Sequence, residues 1–331
     1  MTVDFTTPVS VIMPVLNEAP YLQEAVAAVL AQDYLGSIQV VLAMGPSKDH
    51  TDQIAQVLAE RDKRIILVTN PSGRTPTGLN LALAAATGQV IVRVDGHTRL
   101  PADYISTAVQ VLAETGAVNV GGVMAAEGVS AFEQSVASAM RSSLGVGSAR
   151  FHTGGEAGPV ETVYLGVFLR SALDQVNGYD ERFIRAQDWE LNFRLRKSGG
   201  LVFFTPKLSV TYRPRSSIRA LARQYLEYGR WRRAVIRANR ETVTLRYLVA
   251  PAALLGVLVG LLGGVALTPL FFVLPGVYLA FLVVASVSIR TPRRSRLLLP
   301  LVLSVMQMSW GLGFLTSSRK LLPKSVREFR S

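Results

Sequence analysis

The feature that most constrains this chain is an apolar run of 43 residues, 247–289, that follows a stretch rich in arginine. A break at residues 267–269 divides the run into two segments of about 20 residues, each long enough to cross a bilayer as an α-helix. Between Arg213 and Arg246 there are ten arginines and two acidic residues. Positive charge beside a membrane span indicates its cytoplasmic side and attracts anionic lipid headgroups. We therefore expect a membrane anchor, with the residues before it in the cytoplasm.

A third apolar stretch, Leu297–Thr316, leaves the number of spans open. The arginine-rich loop 290–296 is expected in the cytoplasm, so a full third span would place the basic tail on the opposite side, against the charge rule. A re-entrant or interfacial third helix would remove this conflict. The predicted organisation is a globular domain over 1–212, basic interfacial helices over 213–246, a membrane domain of two to three helices over 247–318, and a basic tail over 319–331.

Composition narrows the possible partners and chemistry. The formal net charge of +12 is compatible with nucleic-acid binding, but the apolar spans beside the basic stretch favour membrane lipids as partners, and no nucleic acid is expected. The chain has no cysteine, which excludes a disulfide framework and thiolate metal or redox chemistry. The first residues lack a basic region followed by a long apolar run, so no secretory signal is predicted.

Residues 1–212 alternate short β-branched strands with helical segments. The run from Val9 to Asn17 is a buried strand that ends in polar turn residues, and apolar residues at helical spacing follow over 18–31. Further strands are predicted at 38–44, 64–70 and 89–95, and further helices at 49–60 and 77–88. Strands that alternate with helices of this length imply crossover connections, and therefore an α/β fold with a mostly parallel sheet and flanking helices.

Polar residues gather where these strands end. Ligands of parallel sheets bind beyond the carboxyl ends of the strands, and Asn17–Glu18, Ser47–Asp52 and Asp95–His97 fall there. A strand that ends in Asp-x-His offers a carboxylate and an imidazole to a divalent cation. About ninety residues later, Asp188 opens a predicted helix, where a carboxylate can act as a base. The first turn, PVLNEAP, lacks the Gly-x-Gly-x-x-Gly of a dinucleotide-binding dehydrogenase, which excludes that class.

The middle of the globular domain, residues 120–165, is rich in glycine and serine and has little periodicity. Long irregular segments tend to be functional or disordered. The segment 143–166 is therefore predicted to form a mobile loop near the site.

Five segments together resemble the inverting family 2 glycosyltransferases. They are VSVIMPVLNE, the RVDGHT turn, VYLGVFLR, FIRAQDWELNFRLRKSGG and YRPRSSIRALARQYLEYGRW, and they lie within about residues 8–235. More narrowly, the chain resembles the membrane-anchored bacterial exopolysaccharide branch, typified by succinoglycan-type glucosyltransferases. The resemblance implies a GT-A fold, a nucleotide-diphosphate sugar donor and a divalent metal.

Matched to the family, Asp95 and His97 stand at the metal-binding Asp-x-Asp position. A cation held there would bridge the diphosphate and stabilise the departing nucleoside diphosphate. His97 replaces the usual second aspartate, and imidazole accepts Mn²⁺ better than Mg²⁺, so a manganese preference is predicted. A turn histidine hydrogen-bonded to the backbone is the alternative.

Asp188 stands at the family's catalytic base, in a Gln187-Asp188 pair where relatives carry Glu-Asp. Inversion needs a carboxylate to take the acceptor hydroxyl's proton as its oxygen attacks the anomeric carbon. An acid that interacts only with the helix dipole is the alternative. Gln187, Trp189 and Glu190 are expected at the acceptor, with Glu190 as the fallback base.

The nucleotide sugar is expected at the turns that follow the strands. The residues implied are Pro14, Asn17, Glu18, Asp49, Arg74 and Asp95. The segment 43–46, Ala-Met-Gly-Pro, replaces the aspartate pair that meets the base and ribose in most relatives, which leaves base selection open beside the expected uridine donor. Asn17 and Glu18 also fit a helix start, and Arg74 also fits a solvated arginine.

Gln224, Arg230 and Trp231 resemble the family's Gln-x-x-Arg-Trp segment with a longer spacing. In relatives this segment lies at the membrane interface over the bound sugar, so the three residues are expected to bind the acceptor. An amphipathic helix anchored in the interface is the alternative. The irregular spacing and the small number of spans argue against a processive synthase.

The predicted function is single transfer of a sugar to a lipid-linked saccharide, in cell-envelope or exopolysaccharide synthesis. The predicted location is the bacterial inner (cytoplasmic) membrane, with several spans and a cytoplasmic catalytic domain. A polyprenyl-phosphate sugar synthase is one alternative, and its ionised phosphate acceptor would need little help from Asp188. A catalytically silent sugar-nucleotide-binding membrane partner of another transferase is the other.

Overall fold

The computed structural model describes residues 3–322 and contains one eight-stranded sheet. The strands, in chain order, are β1 Val9–Val15, β2 Ile38–Met44, β3 Ile65–Thr69, β4 Val90–Arg93, β5 Asn119–Ala126, β6 Gly158–Pro159, β7 Tyr164–Leu169 and β8 Val202–Tyr212. They lie in the order β3-β2-β1-β4-β7-β5-β8-β6. The first four strands pair in parallel, whereas β7 is antiparallel to both β4 and β5.

The α-helices of the described residues lie between the strands in the chain or follow the last strand. They are α1 Leu22–Leu30, α2 Thr51–Arg61, α3 Thr75–Ala85, α4 Tyr104–Thr115, α5 Ala131–Met140, α6 Ser143–Val146, α7 Arg150–Thr153, α8 Arg170–Gln175, α9 Gln187–Lys197, α10 Ile218–Ala238, α11 Val249–Ala266, α12 Val273–Ser288, α13 Arg293–Arg296 and α14 Leu299–Leu315.

The sheet is covered on both faces, which explains the continuous apolar runs of its parallel strands. Successive side chains of a strand point to opposite faces. Val11 and Val40 accordingly belong to one buried cluster, and their neighbours Ile12 and Val41 to the other. The α/β class and the four strands predicted before residue 95 are confirmed.

The segment 143–166, predicted to be a mobile loop, contains the short helices α6 and α7, the strand β6 and the start of β7. Before it, β5 and α5 occupy most of residues 119–140. Gly122 of β5 allows close packing, since a Cβ there would lie 1.9 Å from the carbonyl oxygen of Leu208 in β8. A capping box of Ser130 and Glu133 starts α5, and its Ser-x-x-Glu signature is visible in the sequence.

The chain forms two compact units. The first joins the residues up to Ala125 with Gly154–Thr211, and the second joins Ala126–Thr153 with the residues from Tyr212 onward. In the second unit, α10 packs along α14 at very short range. A Cβ on Gly229 of α10 would lie 2.0 Å from the Trp310 carbonyl oxygen, and one on Gly313 of α14 would lie 2.0 Å from that of Leu226.

Two apolar helical segments in the second unit are long enough to cross a membrane. They are Leu245–Ala266 with 22 residues and Pro269–Ser288 with 20, and they are separated at the predicted break. Most of their side chains are exposed, which suits helices that face lipid. The third apolar helix, α14, is shorter at 17 residues, and its polar residue Gln307 is bonded to Tyr278 and to the Leu144 carbonyl. Of the predicted basic tail, 319–331, only residues 319–322 are among the described residues.

Candidate active site

A buried arginine, Arg93, joins the two acidic positions that the sequence predicts. Arg93 is the last residue of β4 and is only 5% exposed. Its Nη2 donates to Asp95 Oδ1 at 3.0 Å, and its Nη1 donates to Asp188 Oδ1. Burial alone would lower the pKa of Arg93, but the Asp188 and Asp95 carboxylates raise it well above its usual value. One permanently charged group therefore holds both carboxylates at the same site.

Arg93 is the site residue that sequence reasoning missed. A signal was present, because the arginine interrupts the apolar run VIVRV and so places a charge inside a buried strand. A charge at such a position is almost never found without a partner. The partners could not be read from the sequence, since one of them lies 95 residues further along the chain.

The start of α9 presents Asp188 to Arg93. The residue before the helix, Ala186, has φ 61°, in the left-handed region, and this turns the chain sharply into the helix. Asp188 and Glu190 both lie in the first helical turn, where the backbone N–H groups favour negative charge. The buried side chains of Leu191 and Leu195 anchor the helix in the core. Helix dipole and guanidinium therefore act on the Asp188 carboxylate together.

Glu190, the predicted fallback base, has a different environment. It is 3% exposed, and both of its carboxylate oxygens accept from Arg194 at 2.7 Å. A carboxylate held in this bidentate way is a structural ion pair, and it presents little surface to an acceptor. Gln187 and Trp189 lie beside Asp188 in the same turn and are half-buried.

His97 contacts Glu18 and connects the turn after β4 to the turn after β1. Its Nδ1 lies 3.0 Å from Glu18 Oε1, and the His97 side chain is 49% exposed. Gly96 permits this approach, because a Cβ there would lie 2.9 Å from Glu18 Cγ. Helix α1 begins at Leu22, later than predicted, so Glu18 lies in the turn with its side chain directed to His97.

Asp95 and His97 offer two donor groups of the kinds that divalent cations accept. They provide a carboxylate that is 23% exposed and a partly exposed imidazole, one residue apart at the end of β4. Residues 3–322 contain no group of three or more His, Asp or Glu side chains placed to hold an ion. A cation here would therefore take its remaining ligands from a bound diphosphate and water, which is how Mg²⁺ and Mn²⁺ commonly bind substrate phosphates.

Asn17 and Asp49 fasten the turns after β1 and β2 to each other. Asn17 adopts φ 55°, and its Oδ1 accepts from the Lys48 backbone N–H at 2.7 Å. Asp49 Oδ2 accepts from the Ala19 N–H at 3.2 Å, and its Oδ1 accepts from Thr51. The Thr51 hydroxyl lowers the pKa of Asp49. The two residues thus shape the predicted nucleotide turns.

A cavity of about 340 Å³ lies beside the carboxyl ends of β2 and β3. Its walls include the replaced segment Met44-Gly45-Pro46 and the turn at Asn70 and Pro71, with Asp52 as a charged group. Arg74 lies close in sequence, immediately before α3, and is half-buried. Pro14 lies within β1 itself and is half-buried as well.

The residues predicted for the acceptor end lie on α10, in the second unit. Gln224 Nε2 donates to the hydroxyls of Tyr212 at 2.8 Å and Tyr228 at 2.9 Å, and Arg230 pairs with Glu227 at 2.9 Å. Trp231 is buried at 5% exposure. Its ring therefore packs within the second unit, and Gln224 and Arg230 already have partners on their own helix or next to it.

Comparison with known proteins gives three related matches. The model of the family described as Glycosyl transferase family 2 matches residues 10–176. The chain is 31% identical over 312 residues to the succinoglycan biosynthesis protein ExoA of Rhizobium meliloti (strain 1021), which covers 92% of this chain and 93% of that protein. It is 24% identical over 240 residues to a dolichyl N-acetyl-alpha-D-glucosaminyl phosphate 3-beta-D-2,3-diacetamido-2,3-dideoxy-beta-D-glucuronosyltransferase of Methanococcus voltae, which covers 69% and 74% of the two chains.

Among solved structures, the fold is similar to that of the mannosyltransferase PcManGT from Pyrobaculum calidifontis, determined in complex with GDP-Man and Mn²⁺. The TM-score is 0.60 at 18% identity, over 96% of this chain and 89% of that one. At this identity the likeness shows the fold alone, and it confirms the predicted GT-A class.

Proposed function

Because the chain belongs to glycosyl transferase family 2, we propose that it moves a sugar, with inversion, from a nucleotide-diphosphate sugar to a lipid-linked saccharide. The protein is a glycosyltransferase. Its relative ExoA is a succinoglycan biosynthesis protein, which supports a role in exopolysaccharide or cell-envelope synthesis. The relative from Methanococcus voltae is named for a dolichyl phosphate sugar substrate, which supports a lipid-linked acceptor.

The observation that carries this proposal is the pair of carboxylates on one guanidinium. Asp95 follows a strand of the parallel half of the sheet, Asp188 opens α9, and Arg93 bonds to both. For an inverting transfer, a metal-binding carboxylate and a base must lie on either side of one anomeric carbon. Because Arg93 bonds to both carboxylates, Asp95 and Asp188 lie close enough to each other for this arrangement.

In the reaction, Asp188 accepts the proton of an acceptor hydroxyl as the hydroxyl oxygen bonds to the anomeric carbon. The bond from that carbon to the phosphate oxygen breaks, and the nucleoside diphosphate leaves from the opposite face, which inverts the configuration. Arg93 acts as a positioning residue, since both of its terminal nitrogens bond to the Asp95 and Asp188 carboxylates.

The predicted metal would be held by Asp95 and His97. When bound, a divalent cation neutralises the diphosphate and so stabilises the leaving nucleoside diphosphate. Glu18 bonds to the His97 ring and so fixes its orientation. The imidazole donor favours Mn²⁺ over Mg²⁺.

The nucleotide is proposed to bind over the turns that Asn17 and Asp49 fasten together. The cavity of about 340 Å³ between Met44 and Asn70 is the proposed place for the nucleobase. Its walls at 44–46 lack the aspartate pair of most relatives, so the base would be held mainly by apolar contact. A uridine donor remains the expectation.

The proposed location is the bacterial inner membrane, with the catalytic unit in the cytoplasm. Two helical segments, Leu245–Ala266 and Pro269–Ser288, could cross a membrane. The ten arginines between Arg213 and Arg246 and the basic loop 290–296 flank these two segments. With two spans, both of these basic segments lie on the same side of the membrane. If that side is the cytoplasm, the arrangement agrees with the rule that positive charge stays inside.

The experiment is nucleoside-diphosphate release by the detergent-purified full chain with Mn²⁺. A panel of nucleotide sugars is tested with and without bacterial lipid extract, and the product's anomeric configuration is read by NMR. Lipid-stimulated release from one donor is expected. Asp188→Asn should lower kcat on the order of 10²- to 10⁴-fold, because the acceptor hydroxyl loses its base.

Asp174→Asn is the matched control, because Asp174 is a largely exposed acid on α8 that pairs only loosely with Arg170. It should retain wild-type turnover. Lipid-stimulated release that survives Asp188→Asn would point to a phosphate acceptor. Absence of release from every donor would replace the proposal with the silent binding partner.

A further inference from the structure

The second unit contains a polar cavity of about 700 Å³ that the proposed reaction does not use. Its walls come from α5 and the segment after it, and from the end of α12. They consist of six hydroxyl-bearing residues, the two arginines Arg141 and Arg290, and one isoleucine. No acidic residue lines the cavity among the residues the structure describes. A volume of this size is typical of sites for small ligands.

Hydrogen bonds fix the walls of this cavity. Ser138 Oγ bonds to Thr291 Oγ1 at 3.0 Å, and Ser295 Oγ donates to Gln134 Oε1 at 3.0 Å, so α5 is fastened to the loop that carries Arg290. Gln307 Nε2 donates to the Leu144 carbonyl at 3.2 Å, which ties the segment after Arg141 to α14. Arg141 and Arg290 therefore project from fixed backbone, although they lie 149 residues apart in sequence.

Neither arginine has a counter-charge within the described part of the chain. The side chains of Arg141 and Arg290 form no ion pair or hydrogen bond with residues 3–322. The acid of α5, Glu133, accepts from the Ser130 N–H at 2.9 Å and lies 3.6 Å from Arg213 Nε, so it is already paired. Two guanidinium groups that share a cavity repel each other unless an anion lies between them.

The cavity lies where a candidate membrane span ends. Ser288 is the last residue of α12, and Ile289 and Arg290 follow it directly. On the last turns of that helix, Val284 and Val287 are 63% and 68% exposed. A ligand bound at Arg290 would therefore have a polar wall at one end and an apolar helix surface, suited to lipid chains, at the other.

We infer that this cavity binds the diphosphate that joins a membrane lipid to the acceptor saccharide. The inference rests on the proposed function, because it names the part of that acceptor which the second unit recognises. Guanidinium groups bind phosphate oxygens through paired N–H donors, and hydroxyls supply further donors. The site holds the lipid head in place and takes no part in the transfer itself.

A lipid whose saccharide is attached through a diphosphate fits this cavity better than an ordinary phospholipid. The linking diphosphate carries two negative charges, which match the two arginines. A phospholipid phosphate is a diester with one charge. The six hydroxyl-bearing residues and the absence of an acid also suit a densely charged head better than one bearing a cationic group.

The test measures binding of farnesyl diphosphate, a short lipid diphosphate, to the detergent-purified full chain by titration calorimetry. Arg141→Gln with Arg290→Gln should weaken binding on the order of 10- to 100-fold, the loss expected for removed charge-assisted hydrogen bonds. Arg141→Lys with Arg290→Lys keeps the charge but loses the paired donors, so an intermediate loss is expected. This second pair decides the question if the first fails to fold.

Arg293→Gln with Arg294→Gln is the matched control, because these exposed arginines belong to the same basic loop but do not line the cavity. Binding within about threefold of wild type is expected, as these residues supply only screened surface charge. An equal loss in this pair, or no loss in the first pair, would overturn the inference. So would inorganic diphosphate binding as tightly as farnesyl diphosphate, or phosphatidylglycerol displacing it at equal concentration.

The outcome is separable from that of the proposed function. A wild-type protein that binds farnesyl diphosphate through these arginines but turns over no donor would keep the inference and end the proposed function. If the wild type shows lipid-stimulated turnover but Arg141→Gln with Arg290→Gln binds farnesyl diphosphate with unchanged affinity, the proposed function is kept and the inference is overturned.

Discussion

The two units of this protein use arginines in opposite ways. In the first unit, Arg93 is almost fully buried and bonds to two carboxylates of the same chain, Asp95 and Asp188. In the second, Arg141 and Arg290 line a cavity whose walls, within residues 3–322, contain no acid. An arginine whose counter-charges are built in organises a site, whereas an arginine without them is available to an anion from outside.

Apolar residues show the same contrast. Val92 in the sheet is 0% exposed, whereas Val265 in the second unit is 83% exposed. The residue type is the same, and only the surroundings differ. Burial against other side chains stabilises the sheet in water, while exposed valines on a helix of spanning length suit a lipid environment.

The largest expected effect comes from removing the built-in charge. Arg93→Met should lower kcat by at least about 10²-fold, because Asp95 and Asp188 lose the group that fixes their separation. KM for the donor should change much less. The free energy of unfolding should also decrease. The decrease should be smaller than the roughly 3–5 kcal/mol seen for fully buried pairs, since both aspartates are partly exposed.

Adding Asp188→Asn to Arg93→Met sharpens that prediction. The double variant should be more stable than the sum of the two single changes predicts, because it leaves one unpaired carboxylate fewer. Chemical denaturation of the purified full chain measures this coupling. Additive effects would mean that Arg93 and Asp188 do not stabilise each other.

The next effect tests the close packing of the second unit. Gly229→Ala would bring a Cβ to 2.0 Å from the Trp310 carbonyl oxygen, and should destabilise the unit by about 1–3 kcal/mol. Gly256→Ala is the control, since no atom lies within 4 Å of a Cβ there. Thermal unfolding in detergent should show a lower Tm for the first variant only, and equal Tm values would contradict the observed helix contact.

A smaller effect is expected at the predicted metal site. His97→Asp restores the Asp-x-Asp pattern of the family and replaces a nitrogen donor with a carboxylate. The ratio of activity with Mg²⁺ to activity with Mn²⁺ should rise a few-fold, on the order of 2- to 10-fold, because Mg²⁺ prefers oxygen ligands. An unchanged ratio would remove His97 from the metal's ligands.

The smallest effect concerns a half-buried titratable group in the second unit, His152. Burial lowers the pKa of His152 from its usual 6.5 to about 4. The unfolded chain therefore binds a proton more readily between these values, so stability is complete above pH 6.5 and falls as the pH drops toward 4. Wild-type Tm should fall by about 2–4 °C or more between pH 7 and pH 5, and His152→Phe should flatten that slope. A slope unaffected by this change would assign it to other groups.

Much of the fold was predictable, because local patterns specify it. The four parallel strands, the break between the two apolar helices and the start of α9 near Asp188 all follow from periodicity and turn residues over short stretches. The role of Gly122 in β5 could not be predicted in the same way. A Cβ there would meet the Leu208 carbonyl oxygen of β8, which lies more than 80 residues further along the chain.

The sequence by itself determined the chain's division into a sheet-forming part and an apolar part, and it identified Asp95 and Asp188 as candidate site residues. Only the tertiary structure decided that Arg93 bonds to both acids, that Glu190 is paired with Arg194, and that Arg141 and Arg290 share one cavity. The physical reason is the distance along the chain over which each effect acts. Hydropathy and strand or helix propensity act over a few residues, whereas the partner of a buried charge is set by how distant segments pack.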